Sequence, residues 1–210
     1  MAQKKEAKIL EIKPINLQRM TVRVVGERLI THKFSEKSKK EMQDKQKKTT
    51  KTKKRPLRKP ESEFRHALYW LGKNGQGVKC GKDVTKHKYG FGFHAVAFKA
   101  ATVGACRSVD GLAMTELRGW FHIIGEFVKI ESKPPVMRTD TVRIGKGSTD
   151  LRYRPEFGKW HADLNIQFNA DLLTAEQLIN MVNIGGFSMG VGERRPSQKC
   201  ADTFGMYHVE

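Results

Sequence analysis

Between Trp160 and Asn169 apolar and polar residues alternate without a break: Trp160, Ala162, Leu164, Ile166 and Phe168 against His161, Asp163, Asn165, Gln167 and Asn169. A period of two places the first set on one sheet face, so the stretch predicts a half-buried strand. A helix start follows. Thr174 is a capping residue, and Gln177 three positions later can return its amide to the cap backbone. Leu178, Ile179 and Val182 then share a helical face. Gly185-Gly186 are expected to stop this helix, because glycine enters the left-handed C′ conformation without a Cβ clash. GVGERRPSQKC comes next as a basic glycine loop, and TFGMYHV closes as a short strand.

Upstream, residues 1 to 17 read as a mobile lead-in of mixed charge, and the β-branched MTVRVV at 20 to 25 predicts a strand that LITHKF continues after a brief turn. ESEFRHALYWL, 61 to 71, sets Phe64, Ala67, Leu68 and Leu71 at helical spacing. Residues 72 to 93 read as a long loop, HAVAFKAATVGACR (94 to 107) as a helix, and FHIIGEFVKI (121 to 130) as one strand. Between 132 and 159, VRIG and LRYR form the arms of an expected projecting hairpin across GKGSTD. Without its excursions the order is βαββαβ, an α+β chain of the ferredoxin-like, RRM-like kind, with both helices on one sheet face and the other face available for a ligand. No RNP1-like segment with paired aromatics is present, so an ordinary RNA-recognition motif is not expected.

Charge changes the picture. The 210 residues are 38% hydrophobic, enough for a core, but carry a formal net charge of +18. Such an excess favours a polyanionic partner; ribosomal-type and membrane-surface proteins share it. Half of it lies in residues 35 to 60, SEKSKKEMQDKQKKTTKTKKRPLRKP, where twelve Lys or Arg face three acids. The segment has little to bury and is expected to be a flexible basic insertion contacting nucleic acid through Lys47, Lys48, Lys53, Lys54 and Arg55. The glycine loop adds Arg194, Arg195 and Lys199, and small residues beside guanidinium forks allow close approach to phosphates. No apolar run of about 18 residues is present, and the start lacks a signal-peptide core. Cys80, Cys106 and Cys200 are odd in number and widely spaced, which fits free thiols in a reducing cytoplasm and gives no zinc pattern. His32, His66, His87 and His94 have no carboxylate or second base at a recognisable spacing, and no P-loop or nucleophile motif occurs. Neither catalysis nor a cofactor is expected.

Three stretches bring a resemblance. YGFGFHAVAFKAATVGACR resembles the loop-to-helix segment of the RAMP superfamily, the backbone subunits of CRISPR effector complexes, and GVGERRPSQKCADTFGMYHV is similar to that superfamily's carboxy-terminal glycine-rich loop and following strand. The 132 to 159 excursion falls where those subunits carry a thumb-like hairpin. The chain also resembles a group of small uncharacterised bacteriophage proteins with LRYRPEF and GxGERRP-like stretches. The matches cover about half of the chain. Pro196 and Cys200 interrupt the glycine loop, and the basic insertion has no counterpart. The resemblance implies a single domain over 1 to 210 that binds single-stranded RNA or DNA without cutting it and assembles head to tail into a multimer or filament, in a bacterial host's cytoplasm if phage-encoded. It places Lys99, Arg107, Arg194 and Arg195 against phosphates, and sends Arg143, Lys146, Arg152 and Arg154 of the hairpin to a neighbour or between bases. The alternatives are a phage structural protein and a decoy subunit acting through protein–protein contacts.

Overall fold

The computed structural model describes residues 13–34, 39–40, 42–43, 46–47, 57–144, 147–196 and 200–210. Along the chain the elements are β1 (Leu17–Gly26), β2 (Leu29–Ile30), α1 (Pro60–His66), β3 (Phe91–His94), α2 (Ala95–Gly104), a 3₁₀ turn (Ala105–Ser108), α3 (Met114–Trp120), β4 (Phe121–Ile123), β5 (Phe127–Ser132), β6 (Val136–Ile144), β7 (Ser148–Phe157), β8 (Trp160–Asn169), α4 (Ala175–Ser188) and β9 (His208–Val209). The chain is α+β. The lead-in at 1–12 and most of the basic insertion lie outside the described residues.

The larger sheet runs β3-β5-β8-β1-β9, with β4 also paired to β8, and every pairing in it is antiparallel. Its centre is the ten-residue ladder from Leu17 opposite Asn169 to Gly26 opposite Trp160. The alternation read from 160 to 169 is realised: Trp160, Ala162, Leu164, Ile166 and Phe168 are all buried, while Asp163 and Asn165 on the other face are exposed. Val22 and Val24 of β1 join the same core. α2 and α4 pack together on that apolar face, where the Phe98 ring meets Trp160 and Tyr207. The opposite face is polar, with Arg23 forked onto Asp163 and Thr21 donating to Asn165.

Several expectations are corrected. LITHKF does not continue β1. Leu29 and Ile30 pair with Phe157 and Glu156 of β7, in a second sheet ordered β2-β7-β6. The 61 to 71 helix ends at His66, and Ala67–Leu71 continues as non-helical chain whose apolar residues are buried apart from Tyr69. FHIIGEFVKI is two strands, because Gly125 at φ 100° turns the chain between β4 and β5. α3 is an element beyond those the sequence pattern predicts.

The 174 helix starts as expected: Thr174 accepts from the Gln177 backbone and the Gln177 side chain accepts from Thr174 N–H, a complete capping box. Gly185-Gly186 do not stop it. They sit inside α4, where a Cβ on Gly185 would lie 2.5 Å from the Ala101 carbonyl of α2 and one on Gly186 would strike the Tyr207 carbonyl. Their role is close approach of backbone to backbone. The turn comes at Gly190, φ 55°.

Candidate nucleic-acid interface

The hairpin is present: β6 and β7 pair from Val136 opposite Glu156 to Ile144 opposite Ser148. It is fixed to the body on two sides. Arg58 donates to Glu63 of α1 and to Asp150 of β7, with its guanidinium 5.6 Å from the Tyr153 ring centre. At the other end a network of ion pairs joins hairpin and glycine loop. Arg138 holds Asp140 at 2.7 Å and Glu156 at 3.0 Å; Arg194 holds Asp202 at 2.7 Å and Asp140 at 3.1 Å. Arg154 lies 3.6 Å from Asp140 and 3.4 Å from Glu193, and Arg28 pairs with Glu156. Arg28, Arg138 and Arg194 stand around the Phe204 ring at 4.3, 4.9 and 5.2 Å. Four arginines face four carboxylates here, so the knot is neutral.

This knot engages several of the arginines expected to contact nucleic acid or a neighbouring protomer. Arg154 is 7% exposed and enclosed by carboxylates, so it holds the hairpin to the glycine loop. Arg194 takes the left-handed conformation, φ 56°, with both edges of its guanidinium on carboxylates. In the structure both stand in internal ion pairs. Arg152 is engaged by Asp150 and approaches His32 Nε2 at 3.3 Å. Lys99 is turned away from the glycine loop: its Nζ lies 3.1 Å from His122 Nδ1 and 5.7 Å from the Phe121 ring centre, and burial lowers its pKa. Ala97 and Ala100 face the loop in its place. Arg107, Arg143, Arg195 and Lys47 are exposed. Lys48, Lys53, Lys54, Arg55, Lys146 and Lys199 lie outside the described residues.

Tyr69 lines two of the clefts on the remaining surface. The smaller, about 240 Å³, is roofed by the glycine loop from Met189 to Glu193, with His32, Phe93 and Arg195 around it. The loop's glycines let it pass against strand backbone, since a Cβ on Gly192 (φ 83°) would strike the Ile30 carbonyl while Glu193 N–H donates to that same carbonyl at 2.8 Å. Burial is the main cause holding His32 below its ordinary pKa, with Arg154 and Arg152 adding to it and Glu193 and Glu63 opposing. Its Nδ1 is buried without a hydrogen-bond partner.

The larger cleft, about 960 Å³, carries Lys33, Phe34, Lys39 and Lys79 beside Tyr69, His94 and Phe127. Local structure sets Tyr69 outward. Leu68 and Trp70 on either side point into the core, the Trp70 indole donates to the Arg65 carbonyl at 2.8 Å, and the Tyr69 carbonyl accepts from Gly92 N–H. His94 stacks on Phe127 with ring centres 4.8 Å apart, and Tyr69 meets His94 edge-on at 4.8 Å. Lys33 Nζ is 5.9 Å from the Tyr69 ring centre. Burial raises the Tyr69 hydroxyl above its ordinary pKa, with Glu193 adding to it, so the ring stays neutral. No sequence signal singled out this aromatic group, because its members come from positions 34, 69, 94 and 127 and meet only through the fold.

Compared with known proteins, the chain matches no family model, and no curated protein shows significant similarity to it. Among the described residues no helix is long and apolar enough to cross a membrane, and no cluster of His, Cys, Asp or Glu is arranged to hold a metal ion.

Proposed function

We propose that this chain is a non-catalytic protein that binds single-stranded nucleic acid and assembles head to tail along it, on a ferredoxin-like βαββαβ core. The supporting strand order is β4/β5, β8, β1, β9, in which each of two helical crossovers, through α2 and through α4, spans one intervening strand. That order, with β3 added at the edge beside β5, supports the split βαβ reading. The RAMP-like reading of the glycine loop and hairpin belongs to the same proposal.

One observation carries it: how basic charge is distributed along the chain relative to the aromatic cleft. The arginines of hairpin and glycine loop are largely neutralised within the protein, whereas the sequence of residues 35 to 60 holds twelve Lys and Arg and three acids, a surplus that the pairing of Arg58 with Glu63 and Asp150 only reduces. That stretch begins next to Phe34 and contributes Lys39 to the wall of the larger cleft. The most basic stretch of the sequence therefore directly follows a residue of a concave aromatic surface, and basic charge with aromatic surface is the combination that single-strand binders use. The polar sheet face, with Arg23 spent on Asp163, offers no comparable surface. For the protein contact that assembly requires, the exposed Phe187 stands in an apolar cleft of about 820 Å³ with Trp160, Met206 and Tyr207.

Negative-stain imaging of the purified protein, with and without a single-stranded oligonucleotide, tests both halves. Rings or filaments with the oligonucleotide are the expected result. Monodisperse single particles that leave the oligonucleotide unbound at low salt would remove the proposal.

A further inference from the structure

We infer that the larger cleft captures unpaired nucleobases, with the Tyr69–His94–Phe127 group and Phe34 as stacking surfaces and Lys33 and Lys79 beside them for phosphates. The inference rests on the single-strand reading above and gives it a specific contact. Three observations converge. At about 960 Å³ the cleft is at the upper end of the range of ligand pockets, about 300–1,000 Å³, and has room for more than one nucleoside. Its aromatic members are neither core nor free surface: Tyr69, His94 and Phe127 are half-buried, braced against one another by ring contacts, and Phe34 is 60% exposed. A half-buried ring that is already held in place presents an edge or face at little further entropic cost. Lys33 and Lys79 are on the same rim, with Glu126 as the opposing carboxylate.

The geometry also gives a direction. Because Tyr69 lines both clefts, a strand lying over it reaches the glycine loop and the exposed Arg195 on one side and Lys33 and Phe34 on the other. Bases in a duplex are stacked on each other and cannot enter, so the cleft selects single strands. Any base has a face to stack, so it is tolerant of sequence.

The test compares three labelled oligonucleotides of equal length by fluorescence anisotropy: a thymidine strand, the same strand with abasic sites throughout, and its duplex. The abasic strand keeps the phosphates and loses the bases. It should bind at least tenfold more weakly than the thymidine strand, and the duplex likewise. F34A should narrow that gap while leaving the abasic strand's affinity unchanged. Strands carrying photoreactive iodouracil should crosslink to Phe34, Tyr69 or His94. Equal affinity for base-bearing and abasic strands, or crosslinks lying wholly outside the cleft, overturns the base site and leaves nucleic-acid binding standing. Failure of every strand to bind overturns both.

Discussion

Asp140 receives guanidinium groups from three directions, Arg138, Arg154 and Arg194, with its side chain only 7% exposed. Removing one member of a buried ion pair leaves its partners uncompensated, at a cost of about 3–5 kcal/mol, so D140A should lower the unfolding free energy by about 3 kcal/mol in urea titration. D163A, which strips an exposed partner from Arg23, should unfold close to the wild-type midpoint, since exposed pairs contribute little. His32 supplies a pH dependence with a defined sign. Burial and two nearby arginines lower its folded pKa, so between that value and the unfolded value of about 6.5 the unfolded chain binds more protons. Stability is complete above about pH 6.5, falls as pH drops through the window, and levels off below the folded pKa. H32N should flatten this part of the stability profile. The carboxylates Asp163 and Asp202, whose pKa values their arginines lower, lose their contribution only at more acid pH.

At the scale of elements, α4 sets helix propensity against packing. Alanine is preferred over glycine in a helix by about 1 kcal/mol, and at Gly119 of α3, where a Cβ would meet nothing within 4 Å, G119A should raise the melting temperature. G185A and G186A should lower it, because an added Cβ would strike the α2 carbonyl of Ala101 or the chain at Tyr207. Equal stabilisation by all three would show that α4 does not pack as described. The same glycines mark what the sequence could and could not disclose. Alternation from 160 to 169 and the Thr174–Gln177 box are local signals, and both elements were legible. Gly185-Gly186 read equally well as a C-cap, and only the position of Ala101, 84 residues earlier in the sequence, decides otherwise. The arginines of the hairpin and loop looked free because spacing alone does not say which carboxylate each one meets: Asp202 lies eight residues beyond Arg194, and Asp140 comes to Arg194 from 54 residues away only through the fold. The aromatic cleft left no linear trace for the same reason.

At the scale of the molecule, the two basic features should separate in salt titrations. A protein engaging about five phosphates of a single strand loses affinity with a log–log slope near −3.5. Deleting residues 36–56, which spares Arg58 and its pairs with Glu63 and Asp150, should flatten the slope and slow association while ordered particles persist at low salt. R195A, at the exposed arginine beside the smaller cleft, should weaken register along the strand without unfolding the chain, whereas R194A should chiefly destabilise it. Wild-type particles from R195A would exclude the glycine loop from the contact.

The central ladder has a consequence for synthesis. Arg23 meets Asp163 across 140 residues, and β1 also pairs at Val24 and Val25 with β9. At a ribosomal rate of about 5–20 residues per second, β1 waits on the order of ten seconds for its first neighbour in the sheet. Throughout that interval a β-branched segment stands with both edges unsatisfied, the condition in which nascent chains adhere to one another. Arg19 and Arg23, alternating with Met20, Val22 and Val24, give the waiting strand a charged face. Their service is thus chiefly to the unfinished chain, and neutral replacements should show up as insoluble product during expression before they show up in the melting temperature of the finished protein.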